Sequence, residues 1–89
     1  MLVEFDKSFE RSLNNVHDKI ILKRLKRIII QIENTQSLAQ LHNFSKLTGY
    51  SNYYRIRIGV YRVGIELVNN QIIPCIIIAH RKDIYKIFP

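Results

Sequence analysis

Hydrophobic positions change period once along this chain. From Lys7 to Glu33 they recur every three or four residues, the period of a helix with one buried face. Phe9 and Leu13 stand four apart, and Asp6 before them is placed to cap a helix over Lys7–Asn14. Asn14-Asn15 breaks the pattern. A longer helix then runs from about Val16 to Glu33, with Ile21, Leu25, Ile28 and Ile32 along one side and Lys19, Lys23, Lys26 and Arg27 on the other. The short break predicts a helical hairpin. Ahead of it, Leu2–Phe5 reads as a short strand. Residues 34 to 52 are polar and irregular, with Leu38, Leu41, Phe44 and Leu47 as anchors and Gly49 as punctuation.

From Tyr53 the period is two. Tyr54, Ile56 and Ile58 alternate with Tyr53, Arg55 and Arg57, and Gly59-Val60 suits a two-residue hairpin loop. Tyr61, Val63, Ile65 and Leu67 continue the alternation. Asn69-Asn70 marks a second hairpin, because Asn tolerates positive φ. The last strand, Gln71–Ala79, is apolar on both faces and so covered on both, yet Pro74 cannot donate to a ladder and belongs at an edge or bulge. The expected architecture is α+β: a helical hairpin packed on a small, mainly antiparallel four-stranded sheet, in the order β-α-α-β-β-β, followed by a basic tail.

The hairpin loops set the register, and the register decides which side chains meet. With Gly59-Val60 as the loop, Arg57 opposes Arg62 on the face away from the apolar residues, and Arg55 lies two residues along. With Asn69-Asn70 as the loop, Val68 opposes Gln71 and Arg62 opposes Ile77, and Arg81 shares that parity. Directly opposed like charges destabilise a sheet by about a few tenths of a kcal/mol. Folding alone gives no reason for them. Four converging guanidinium groups, each with planar donors matched to phosphate oxygens, point to an anion site.

Composition agrees. The chain has 89 residues, room for one domain over 1–89, with 14 Lys and Arg against 7 Asp and Glu, a net charge of +7. Such an excess predicts a polyanionic partner: nucleic acid, an acidic protein or an anionic surface. A single cysteine, Cys75, excludes an internal disulfide and a cysteine-based metal site. No His/Asp/Glu set has metal-ligand spacing, so no cofactor is expected, and neither a Ser-His-Asp arrangement nor a Gly-rich phosphate loop is present. No stretch has the length of a membrane span, and the acidic start lacks the features of a secretion signal, so the cytoplasm is the expected compartment. Near the arginines stand His80, whose imidazole can serve as general acid or base, Asp83, and Tyr85, whose ring can stack on a base. Strict alternation points His80 away from Arg81. His17 and His42 read as ordinary polar positions.

The stretch from Leu47 to Val63, carrying Tyr54, Arg55, Arg57, Gly59, Tyr61 and Arg62, resembles the RelE-type toxins of the RelE/ParE superfamily. So does the ending from Ile76 to Tyr85 with His80 and Arg81. The resemblance is specific from Leu47 to Tyr85 and rests only on a helical hairpin before that. It implies the toxin of a type II toxin–antitoxin pair: a metal-independent endoribonuclease that cuts mRNA in the ribosomal A site, with the ribosome, mRNA and a cognate acidic antitoxin as partners. It implies that Arg55, Arg57 and Arg62 bind phosphate, with Lys82 and Lys86 adding to the RNA-binding surface. It further implies that Arg81 stabilises the scissile phosphate and Tyr85 stacks on or orients the nucleotide. The best-known ribosome-dependent members often carry Lys at the two second-strand positions, where this chain has Arg55 and Arg57. Arginine cannot act as a base, which leaves His80, and more distantly Glu66, as candidate bases. Two further readings are a ParE-like toxin that inhibits gyrase without cutting, and a catalytically inactive binding module. Arg81 and Tyr85 favour the nuclease, because the ParE-like branch is expected to lack that pair.

Overall fold

A computed structural model describes residues 1–89. Strand β1 (Leu2–Phe5) leads into helix α1 (Lys7–Leu13), then helix α2 (Lys19–Asn34). A 3₁₀ turn at Leu38–Gln40 precedes β2 (Phe44–Lys46), β3 (Tyr53–Ile58), β4 (Tyr61–Glu66), β5 (Ile72–His80) and a final short helix α3 (Ile84–Ile87). The sheet has five strands in the order β1-β5-β4-β3-β2, all antiparallel neighbours except β1 and β5, which run parallel.

Both predicted helices form and lie on one face of the sheet. Phe9 from α1 and Ile21, Leu25 and Ile32 from α2 are buried against Ile56, Ile58, Val63, Ile65, Ile73 and Ile78. The caps differ from the expectation. Asp6 occupies the N-cap position of α1, but its side chain makes no capping bond. Asp18 caps α2 instead, its Oδ1 accepting from the backbone N–H of Ile20 at 2.9 Å and of Ile21 at 3.3 Å. The longer helix therefore starts at Lys19, three residues later than its apolar periodicity predicts, because the cap decides where free N–H groups are satisfied.

Three further differences matter for the site. Phe44–Lys46 pairs with β3, Phe44 opposite Ile56 and Lys46 opposite Tyr54, so the sheet has five strands rather than four. A three-residue strand is too short to show a period of two. The tail forms α3, and its Ile84, together with Phe88 just past the helix, buries against Leu47 on the second face of the sheet. This explains why Gln71–Ala79 reads as apolar on both sides. The β4–β5 register is also displaced. Asn69 and Asn70 take positive φ as expected, but Val68 bridges to Ile72 rather than Gln71, and a bulge follows where Gly64 opposes Ile77 and Ile65 opposes Cys75. Each event shifts the register by one residue. Arg62 therefore faces Ala79 instead of Ile77, while its face is unchanged, because a slip of two keeps the parity. Pro74 is accommodated in an inner strand because the β4 ladder stops at Ile65–Cys75, one residue short of it.

Candidate nucleic-acid interface

Arg55, Arg57 and Arg62 stand on the sheet face opposite α1 and α2. Arg57 is directly across from Arg62, as the two-residue loop with Gly59 at φ +58° predicts. The like-charge conflict is relieved by turning the two guanidinium groups toward different acceptors. Arg57 Nη2 donates to Asn43 Oδ1 at 3.1 Å. Arg62 Nη1 donates to the carbonyls of Gly59 and Tyr61, both at 2.9 Å. Each group keeps further N–H donors free for an anion. Arg81 follows β5, and its backbone N–H donates to the Val60 carbonyl at 2.7 Å, which sets it beside the same hairpin tip that Arg62 reaches. Arg57 and Arg81 are exposed, and Arg62 is half-buried.

Farther from the tip, the half-buried Arg55 has its Cζ 4.5 Å from the centroid of the Tyr85 ring. Tyr85 is brought there by α3, which is seated on the sheet by its Ile84 and by Phe88 just after it. Phe88 lies over Gly64, where a Cβ atom would come within 2.6 Å of its ring carbons. It also meets the Tyr53 ring edge-on, with centroids 5.6 Å apart. Lys82 and Lys86 are exposed on the tail. The result is a strip running from Arg81 and Arg62 through Arg57 to Arg55 and Tyr85: cations at one end, an aromatic ring at the other.

His80 is not part of that strip. It faces Tyr61 across the ladder, with ring centroids 6.0 Å apart, on the helix side of the sheet as alternation predicts. Its Nδ1 accepts from the Lys82 backbone N–H at 3.2 Å, and it borders a groove shared with Ser12, Asn15 and Asp83. Glu66 shares the arginine face but sits at the far end of β4 from Arg62, its Oε2 accepting from Asn52 Nδ2 at 2.7 Å. The Glu66 carboxylate is thus held at the far end of β4 from Arg62, and the His80 imidazole is turned toward Tyr61, although its residue directly precedes Arg81. No group of three or more His, Cys, Asp and Glu is arranged to hold a metal ion, and no helix is long and apolar enough to cross a membrane.

Two contributors escape a reading of the sequence. Asn43, at φ 65°, orients Arg57, and nothing around it marks it out from its polar neighbours. Gly64 makes room for Phe88, and a glycine inside an alternating strand is the available signal for such a close approach.

Toxin RelE3 of Methanocaldococcus jannaschii is 47% identical over 90 residues, a match covering all of both chains. The RelB–RelE antitoxin–toxin complex from Methanococcus jannaschii contains a chain 42% identical, with a TM-score of 0.81 over 97% of this chain and 99% of that one. A mutant of the E. coli toxin RelE in the free state shares the fold, with a TM-score of 0.67 at 17% identity, over 96% of this chain and 90% of that one. No protein-family model matches the chain. The full-length identity to an archaeal RelE toxin, joined to a fold shared with RelE structures, shows that this chain belongs to the RelE toxin family.

Proposed function

We propose that this RelE-family toxin is an endoribonuclease that cuts mRNA in the ribosomal A site and so arrests translation in the cytoplasm. The observation that carries the reading is the pairing of Arg57 with Arg62 on one sheet face, with Arg81 tied through its backbone to the same hairpin tip and Tyr85 held against Arg55 farther along. The reaction is attack of a ribose 2′-oxygen on the adjacent phosphorus. The new P–O2′ bond forms as the P–O5′ bond breaks, leaving a 2′,3′-cyclic phosphate. The 2′-hydroxyl loses its proton and the departing 5′-oxygen gains one, both exchanged with solvent. Arg62 and Arg81 neutralise charge that builds on the phosphate oxygens. Arg57 holds the backbone, Lys82 and Lys86 extend the cationic field, and Tyr85 stacks on a base and aligns the attack. With His80 across the sheet and Glu66 at its far end, catalysis rests on orientation and charge neutralisation.

The same reading includes a cognate antitoxin. RelB accompanies RelE in the structure from Methanococcus jannaschii, and the net charge of +7 suits an acidic partner that covers the strip. A ParE-like toxin that inhibits gyrase without cutting is the alternative.

Primer extension on ribosome-bound message after induction tests the proposal. The expected result is discrete cleavage with wild type, and none with folded Arg62→Ala or Arg81→Ala. Growth arrest with intact message would sink the nuclease reading and favour the gyrase one.

A further inference from the structure

A four-residue helix does not hold an aromatic side chain in place by itself. Ile84 and Phe88 fasten α3 to the sheet through buried contacts, but Tyr85 is 68% exposed, and those anchors leave its ring free to turn. What meets the ring is Arg55, with its guanidinium carbon 4.5 Å from the centroid. Arg55 belongs to β3, whose backbone is fixed on both sides, by Ser45 of β2 and by Gly64 of β4. The strand is rigid where the helix is short. A planar cation against an aromatic face is attractive and restricts how the ring tilts. It also covers one face of the ring and leaves the other to solvent. A ring so held can stack one base, and a guanidinium so engaged is turned away from a passing phosphate.

We infer that Arg55 is a positioning residue for Tyr85: it acts on RNA through the ring, fixing a one-sided platform for a single nucleobase, and not as a ligand to the backbone phosphate. The inference rests on the ribonuclease reading for its purpose, but stacking requires no cleavage and is measured without it.

The probe is a short RNA carrying 2-aminopurine, whose fluorescence falls when the base stacks, titrated into the folded full-length protein. Wild type is expected to quench it and Tyr85→Ala to abolish the quench. Arg55→Gln and Arg55→Lys are both expected to raise the apparent Kd of the quench about tenfold, because lysine keeps the charge but lacks the planar group. In a Tyr85→Ala background, binding of the same RNA followed by its anisotropy is expected to change less than about twofold on adding Arg55→Gln, since the effect passes through the ring. A wild-type Arg55→Lys protein beside a weakened Arg55→Gln would assign Arg55 a charge role and overturn the inference. So would an equal loss from Arg55→Gln in both backgrounds, or the absence of quenching by wild type. If quenching depends on Arg55 as described while ribosome-bound message stays whole, the nuclease reading fails and the platform stands.

Discussion

Arg57 and Arg62 would repel one another if both stood upright from their opposed positions, and their acceptors show how the chain tolerates the pair. Asn43 draws one guanidinium toward β2, and the turn carbonyls draw the other toward the hairpin tip. His80 illustrates the reverse case, a group with suitable chemistry on the unsuitable side of a strand. Its replacement by glutamine is therefore expected to leave both the rate and the pH profile of message cleavage unchanged, as measured by primer extension across pH 6 to 8. A flattened profile in His80→Gln would return the imidazole to the reaction. Cys75 is buried in the core, and burial, followed by the negative charge of Asp6, pushes its thiol up from 9.0 to about 12. The folded protein keeps this proton at pH values where the unfolded chain loses it. The contribution to stability is thus full below pH 9 and declines as the pH rises toward 12, by up to about 1.4 kcal/mol per unit. Cys75→Val removes the titration. Urea unfolding between pH 8 and 10.5 is expected to show a shallower alkaline loss for the variant than for wild type.

At the scale of elements, α3 is the part whose place depends most on a single neighbour. Helices α1 and α2 share a continuous core with the sheet, whereas α3 relies on Ile84 and Phe88 and on the space above Gly64. A methyl group at Gly64 would meet the Phe88 ring at 2.6 Å, so the ring must move and α3 with it. Gly64→Ala is expected to cost about 1–3 kcal/mol in urea unfolding and to weaken toxicity, because Tyr85 leaves the strip with its helix. A variant with wild-type toxicity and an unchanged midpoint would show that the second face accommodates the extra carbon by another route. Phe88→Leu in the Gly64→Ala background, which trims the clashing ring, is expected to regain part of the stability.

For the whole molecule the dominant property is charge. Half of the 14 cationic side chains lie on α1 and α2, and the arginines of the strip give the opposite sheet face a positive field of its own, which suits an acidic partner. Under the toxin–antitoxin reading, the antitoxin folds on this protein, with acidic side chains against Arg57 and Arg62 and apolar ones on the sheet or on the α3 surface. It neutralises by covering the arginines or by displacing the Tyr85 helix. Exposed charges are screened beyond about 8 Å at physiological ionic strength, so the association rate is expected to fall steeply with added salt. Stopped-flow mixing at increasing NaCl measures it. A rate indifferent to salt, with affinity untouched by Arg57→Ala and Arg62→Ala, would mean that the antitoxin binds elsewhere.

The helices, the three long strands and the arginine face were all legible in the sequence, because each follows from a local repeat: a period of three to four for Ile21, Leu25 and Ile32, and of two for Ile56, Ile58, Val63 and Ile65. Parity is robust. It placed Arg57 opposite Arg62 and His80 on the other side, and it survived an extra turn residue and a bulge that together moved Arg62 from Ile77 to Ala79. Everything that depends on contact between distant segments was left to the tertiary structure. Strand β2 exists because β3 offers Phe44–Lys46 an edge, not because three residues prefer extension. Helix α3 exists because Gly64 leaves a seat for Phe88. Arg55 meets Tyr85 only once that seat is filled, and Asn43 meets Arg57 only once β2 is paired. Periodicity records which side of an element is apolar. It carries no record of which element will lie across it, since that is decided by the shape and the unfilled space of surfaces assembled from the whole chain.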